Sequence, residues 1–269
     1  MKVSELKKNI GKAINRLDHS DIFVCHAGDT DSIVADLQKV IGDRNNNPTV
    51  YVRWSVLDWR RIPHLQKEGC KDCQDMINKY IDKCEHILFV IKDRVGHYTM
   101  REWFYSIQQM RKKSPKQVYV FVNRDSKNDP WTGKIIDEVF IRGGYALHKE
   151  YGSFEELIAL FDKVLEAPIV HDALNWIREA QAVLSDSEIK PYKERIDRLY
   201  SLLDSDKTHR ISTYLPERLL RKNNPISSVE LSCQSKDIMT SISYIETRRV
   251  EMPIASRVKL AKDSSNHGI

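Results

Sequence analysis

The chain has 269 residues, 41% hydrophobic and 9% aromatic, with 43 Lys+Arg against 38 Asp+Glu and a formal charge of +5. So much apolar side chain under so small a charge excludes intrinsic disorder, and the longest aliphatic and aromatic run, residues 87–91 (ILFVI), is far short of the roughly 20 apolar residues a membrane helix needs. Acidic and basic residues are interleaved, unlike a nucleic-acid-binding footprint, and five cysteines without an even framework suit a reducing, cytoplasmic setting.

Leu6, Ile10, Ile14 and Leu17 recur at helical spacing and predict a leading helix in residues 1–20; no apolar core with a small-residue cleavage site follows it, so a signal peptide is not expected. Residues 21–25 (DIFVC) read as a short buried strand, followed by a helix carrying Ile33, Leu37, Val40 and Ile41. A second strand is expected at 49–54 (TVYVRW), a helix from Cys73 with Ile77, Tyr80, Ile81 and Cys84 on one face, and a third strand at 86–91. A helix at 99–110, a strand at 117–122 (QVYVFV), a weaker helix at 135–141, a short strand at 145–147 and a helix at 154–165 complete the series. Five strands alternating with helices predict an α/β fold, a parallel five-stranded sheet covered on both faces, with flavodoxin-like order 2-1-3-4-5.

A composition shift at Glu166-Ala167-Pro168 suggests a boundary, giving a domain over 21–167 and a separate segment over 168–269. In that segment Leu174, Ile177, Val183 and Leu184, then Ile196, Leu199, Leu202 and Leu203, predict a helical hairpin turning near residues 185–187. Beyond residue 212 the pattern is mixed, with strand-like alternation at Ile238, Thr240, Ile242 and Tyr244.

In an open parallel sheet of this order, ligands bind beyond the carboxyl ends of the strands, in the crevice between strands 1 and 3. Strand 1 runs into Cys25-His26-Ala27-Gly28-Asp29-Thr30-Asp31, and strand 3 into Lys92-Asp93-Arg94-Val95-Gly96-His97-Tyr98, followed by Thr99-Met100-Arg101-Glu102-Trp103. Neither loop matches the glycine patterns of dinucleotide-binding or P-loop folds, and no G-x-S-x-G elbow is present. Cys70-x-x-Cys73 with Cys84-x-His86 invites a zinc reading. A helix from 73 to 84 would hold its end thiols about 16 Å apart, too far for one metal, so no metal site is expected. Thr99-x-x-Glu102 has the spacing of a helix capping box, which gives Glu102 a purely structural reading.

The stretch DIFVCHAGDTDSIVADL resembles the opening of bacterial Toll/interleukin-1 receptor (TIR) domains: a strand, a Ser or Cys, a His, and an acidic loop into the first helix. The resemblance continues through the long loop and helix over 58–84 and ends at Tyr98-Thr99-Met100-Arg101-Glu102, where enzymatic members carry a catalytic glutamate four residues after an aromatic, usually Trp. It covers residues 21–165. The sequence departs from the family in having Tyr98 for that Trp, and a loop over 54–63 rich in aromatic and basic residues. The related nucleoside deoxyribosyltransferases place their glutamate at the same point.

The resemblance implies an enzyme that cleaves the nicotinamide–ribose bond of NAD, with NAD as substrate and no resident cofactor, kept inactive until it assembles with itself or a partner, often in antiviral defence. Glu102 is then the catalytic residue, expected to be ionised in the first turn of its helix. His26, Arg53 and Arg94 are candidates for ribose or phosphate contacts, beside Arg60 and Arg61. Trp54 and Tyr98, with Trp59, are candidates for stacking on a base. For each of these, ordinary packing or surface duty is the alternative. Two other functions fit the same residues: a non-catalytic TIR-like adaptor, and a deoxyribosyltransferase or nucleotide N-glycosidase.

Overall fold

A computed structural model of the chain describes residues 2–62, 73–110, 117–206 and 209–220, all within one compact unit, Met1–Asn224. The chain opens with α1 (Val3–Asp18) and continues through β1 (Ser20–His26), α2 (Asp31–Asn45), β2 (Trp54–Leu57), α3 (Cys73–Lys83), β3 (His86–Ile91), α4 (His97–Gln109) and β4 (Gln117–Asn123). It goes on through α5 (Pro130–Ile135), β5 (Leu147–Tyr151), α6 (Phe154–Phe161), α7 (Ala167–Val183), α8 (Asp186–Ile189), α9 (Lys193–Ser205) and α10 (Glu217–Leu220). The five strands form one parallel sheet in the order β2-β1-β3-β4-β5, the flavodoxin-like topology. Among the described residues no helix is long and apolar enough to cross a membrane.

The sheet is covered on both faces because its central stretches, residues 22–25 of β1, 87–91 of β3 and 118–122 of β4, are apolar at every position, and the pleat sends alternate residues to opposite sides. Ile22 and Val24, Leu88 and Val90, and Tyr119 and Phe121 join a core with α1, α2, α6, α7 and α9. Phe23 and Cys25, Ile87, Phe89 and Ile91, and Val118, Val120 and Val122 join the opposite core, with Ile77 and Ile81 of α3, Trp103 of α4, and Ile136 and Phe140 after α5.

Four expectations are corrected. β2 is not residues 49–54: Val50, Tyr51 and Val52 are buried, but the backbone pairs with β1 only from Trp54 to Leu57. β5 falls at Leu147–Tyr151, later than 145–147; it is a polar, largely exposed edge strand, which carries no hydrophobic alternation to announce it. α4 begins at His97, capped by Gly96 without a side-chain hydrogen bond, so Thr99 is not the cap and Glu102 lies in the second turn.

The fourth concerns the boundary at 166–168, which falls inside a continuous helical stretch: α6 passes through a wide π-helical turn, Asp162–Glu166, directly into α7. That turn resets the hydrogen-bond ladder, and Pro168 enters α7 in its first turn, where its missing N–H is no loss. Ile169, Val170, Ala173, Leu174 and Ile177 share one core with Leu6, Ile10 and Ile14 of α1. Helices are found on both sides of residues 185–187, α7 before them and α9 beyond, with α8 and a capping box of Ser185 and Glu188 between. The strand expected at 238–244, and Cys70 of the zinc reading, lie outside the described residues.

Candidate functional site

The crevice between the carboxyl ends of β1 and β3 is built from the loops after β1, β2 and β3 and the first two turns of α4. On the α3–α4 side, Cys25 near the end of β1 hydrogen-bonds Glu102 of α4. Glu102 is only 2% exposed, and its Oε2 has no hydrogen-bond partner. Burial pushes its carboxyl up to about 8, against the opposing effect of the Cys25 thiol, and the Cys25 thiol is itself pushed up by burial and by the adjacent acid. At neutral pH the carboxyl therefore holds its proton. This corrects the expectation of an ionised first-turn glutamate: the second turn is beyond the strongest reach of the helix dipole, and desolvation outweighs it.

The pleat turns the next residue, His26, to the other face of β1. Its Nδ1 lies 3.1 Å from the Ala27 carbonyl and 3.2 Å from Asp31 Oδ1, while Nε2 faces Asp58 Oδ2 at 3.5 Å. Trp59 flanks the ring at 6.2 Å between centroids. Asp58, just past β2, is buried with His26. It accepts from Arg60 Nε at 2.8 Å, from Arg60 Nη2 at 2.5 Å and from the Arg61 backbone N–H at 3.2 Å. Arg60 Nη1 also donates to the Asp31 carbonyl at 2.8 Å. Burial alone would raise the Asp58 pKa, but the hydrogen bonds from His26 and Arg60 together hold it below the usual carboxylate value.

On the third wall, Asp29 Oδ2 accepts the backbone N–H groups of Asp93, at 2.9 Å, and Arg94, at 3.3 Å. The Arg94 side chain is 69% exposed, with Nε 3.7 Å from Asp29 Oδ1. Tyr98, one turn before Glu102 on α4, is 58% exposed. A Cβ on Gly96 would lie 3.6 Å from the Ala27 Cβ, so the loops after β1 and β3 touch across the crevice.

Of the residues predicted from sequence, the structure brings Glu102, His26, Arg94 and Tyr98 to this edge. Arg53 and Trp54 it places at the opposite edge: Arg53 donates its N–H to the Leu17 carbonyl, and Trp54 pairs in register with Ser20 at the start of β1 and packs edge-on against His86 and Phe161. The early placement of β2 caused this, because it made residues 53 and 54 the end of the strand instead of its beginning. The same shift hid Asp58. A strand ending at 57 would have marked Asp58 and Trp59 as crevice residues.

Buried polar atoms are as a rule hydrogen-bonded. Here His26 Nε2, Asp29 Oδ1, Asp31 Oδ1 and Glu102 Oε2 are all buried without a well-formed hydrogen bond. These four lie at the end of β1, in the segment leading into α2 and on the facing α4; other such atoms, among them Trp54 Nε1 and His86 Nε2, lie at the opposite edge of the sheet. Among the described residues no group of His, Cys, Asp and Glu is arranged to hold a metal ion. No family model matches this chain, and neither any curated protein nor any solved structure is detectably similar to it.

Proposed function

We propose that this chain is a TIR-like NAD glycohydrolase in which Glu102 is the catalytic carboxyl. One observation carries the reading: a glutamate in the helix after β3 is held against the carboxyl end of β1, beside the strand-order reversal, with one oxygen unpartnered. The resemblance at Cys25-His26 and at Tyr98-x-x-x-Glu102 gives that carboxyl its reaction.

Nicotinamide leaves NAD as a neutral molecule from a cationic pyridinium, so no general acid has to protonate it, unlike the poor leaving groups that make most glycosidases use two carboxyls. A single carboxylate then stabilises the positive charge that develops on the ribose. Glu102 starts protonated, and a pyridinium cation at close range lowers its pKa, so the substrate itself draws out the charge that cleaves it. Tyr98, exposed one turn earlier, supplies a ring for stacking on a base. The burial of Glu102, only 2% exposed, weighs against this reading, since NAD must reach the carboxyl for cleavage.

The same burial favours a second reading, a TIR-like adaptor in which Glu102 is a neutral core residue. Incubating the full chain at high concentration with NAD and with a panel of deoxynucleosides separates the possibilities. Nicotinamide release supports the glycohydrolase. Base release from deoxynucleosides alone assigns the same glutamate to a deoxyribosyltransferase, and inertness toward both leaves the adaptor.

A further inference from the structure

The four residues that leave β3 are tied from several directions. The Ile91 carbonyl accepts from the Tyr151 hydroxyl at the end of β5, at 3.3 Å. The Lys92 carbonyl accepts from Ser126 Oγ after β4, and the Asp93 carbonyl from Thr132 Oγ1 of α5 at 3.5 Å. All three ties come from the β4–β5 side and hold carbonyls. From the β1 side, Asp29 Oδ2 takes the two N–H groups that follow, those of Asp93 and Arg94.

We infer that Asp29 is a positioning residue: its carboxylate clamps the exit of β3 to the loop after β1 and so fixes one wall of the crevice and the start of α4. The inference rests on the functional reading above, since it assigns Asp29 a part in holding the substrate of that site. A carboxylate suits the task because one oxygen can accept two adjacent backbone N–H groups in charge-assisted hydrogen bonds. Tyr98 lies four residues beyond Arg94 and Glu102 eight, and among the described residues Asp29 is the side chain that joins their segment to β1 by hydrogen bonds to the backbone. Released from it, the loop keeps its three carbonyl ties but loses what holds Gly96 close to Ala27 across the crevice.

The test combines backbone amide hydrogen exchange with steady-state kinetics on the full chain, for wild type, Asp29→Ala and Asp29→Asn. In Asp29→Ala the amides of Asp93 and Arg94 are expected to exchange at least about tenfold faster, the loss of one net hydrogen bond. The KM for NAD should rise by about the same factor while kcat changes less. Asp29→Asn keeps a carbonyl oxygen in place and should recover most of both effects; it also serves if the alanine variant does not fold. Unchanged exchange at 93 and 94 would overturn the clamp, and faster exchange with an unchanged KM would overturn its part in substrate binding. If the wild-type chain releases no nicotinamide, the functional reading fails by itself, and the exchange data still decide whether Asp29 holds the loop.

Discussion

Nε2 of His26 and Oδ2 of Asp58 face each other at 3.5 Å, and neither side chain has any exposure to solvent. The pair joins the ends of β1 and β2, and Asp58 extends it to Arg60. Asp58→Asn keeps the shape but removes the carboxylate charge that faces His26 and accepts from Arg60. Removing one partner of a buried charged pair is expected to cost about 3 kcal/mol in denaturant unfolding at pH 7. Because the folded pKa of Asp58 is depressed, its stabilisation is fully present above the unfolded value of 3.8 and is lost as pH falls through the lower folded value. The difference between wild type and variant should therefore vanish in strong acid.

Glu102 acts in the opposite direction. The folded protein keeps its proton up to about 8, whereas the unfolded chain releases it near 4.5. The folded state therefore binds the extra proton between those values, and this group's effect on stability worsens as pH rises from 4.5 to 8. Between pH 5 and pH 7 the loss is about 2 kcal/mol. Glu102→Gln cannot ionise, so its stability relative to wild type should rise by that amount over the same interval, measured by urea unfolding at the two pH values.

His86 sets a second window. Burial, with a smaller contribution from Arg16, pushes its pKa down to about 3, and its Nδ1 stands 3.3 Å from the Tyr119 hydroxyl, which donates to Gln117 Oε1 at 2.6 Å. The unfolded chain takes up a proton at 6.5 that the folded chain refuses, so stability is present above 6.5 and falls toward pH 3 by up to about 1.4 kcal/mol per unit. His86→Asn retains a donor for Tyr119 and removes the titration. Acid unfolding of this variant should begin at lower pH than in wild type, once both curves are aligned at pH 7.

Arg210 tests whether the residues after α7 belong to the same cooperative unit. It donates to Asp162 at 3.0 Å and to Glu166 at 3.0 and 2.9 Å, inside the π-helical turn, where Arg44 of α2 also reaches Asp162 at 2.6 Å. Arg210→Ala leaves buried carboxylates undercompensated and should cost about 3 to 5 kcal/mol. Calorimetry should give one shifted transition; a second, separate transition for the C-terminal helices would contradict a single unit.

The sheet was legible wherever burial and pairing coincide. Residues 86–91 and 117–122 are apolar because both faces of a central parallel strand are covered, and the structure places β3 and β4 there. At 49–54 the two separate: Val50, Tyr51 and Val52 are apolar because they are buried in the core, but they do not pair, so the strand was placed early and Arg53 and Trp54 went to the wrong end. Thr99 and Glu102 have capping-box spacing, yet Gly96 caps α4, because spacing alone does not say where a helix starts. Pro168 looked like a linker and is the first turn of a buried helix. In the site, Glu102 and His26 were found from the loops that follow β1 and β3. Asp29 was not, since a carboxylate that binds backbone N–H groups from another loop leaves no mark in the local sequence.

The most direct test of Glu102 as the catalytic carboxyl is the initial rate of nicotinamide release from NAD by wild type and Glu102→Gln at equal high concentration, with circular dichroism to show that both are folded, over pH 6 to 9. The account expects the wild type to release nicotinamide across this range, because bound NAD draws the carboxyl into its charged form, and the variant to be folded and inert at every pH. A folded Glu102→Gln protein that releases nicotinamide at the wild-type rate would contradict it.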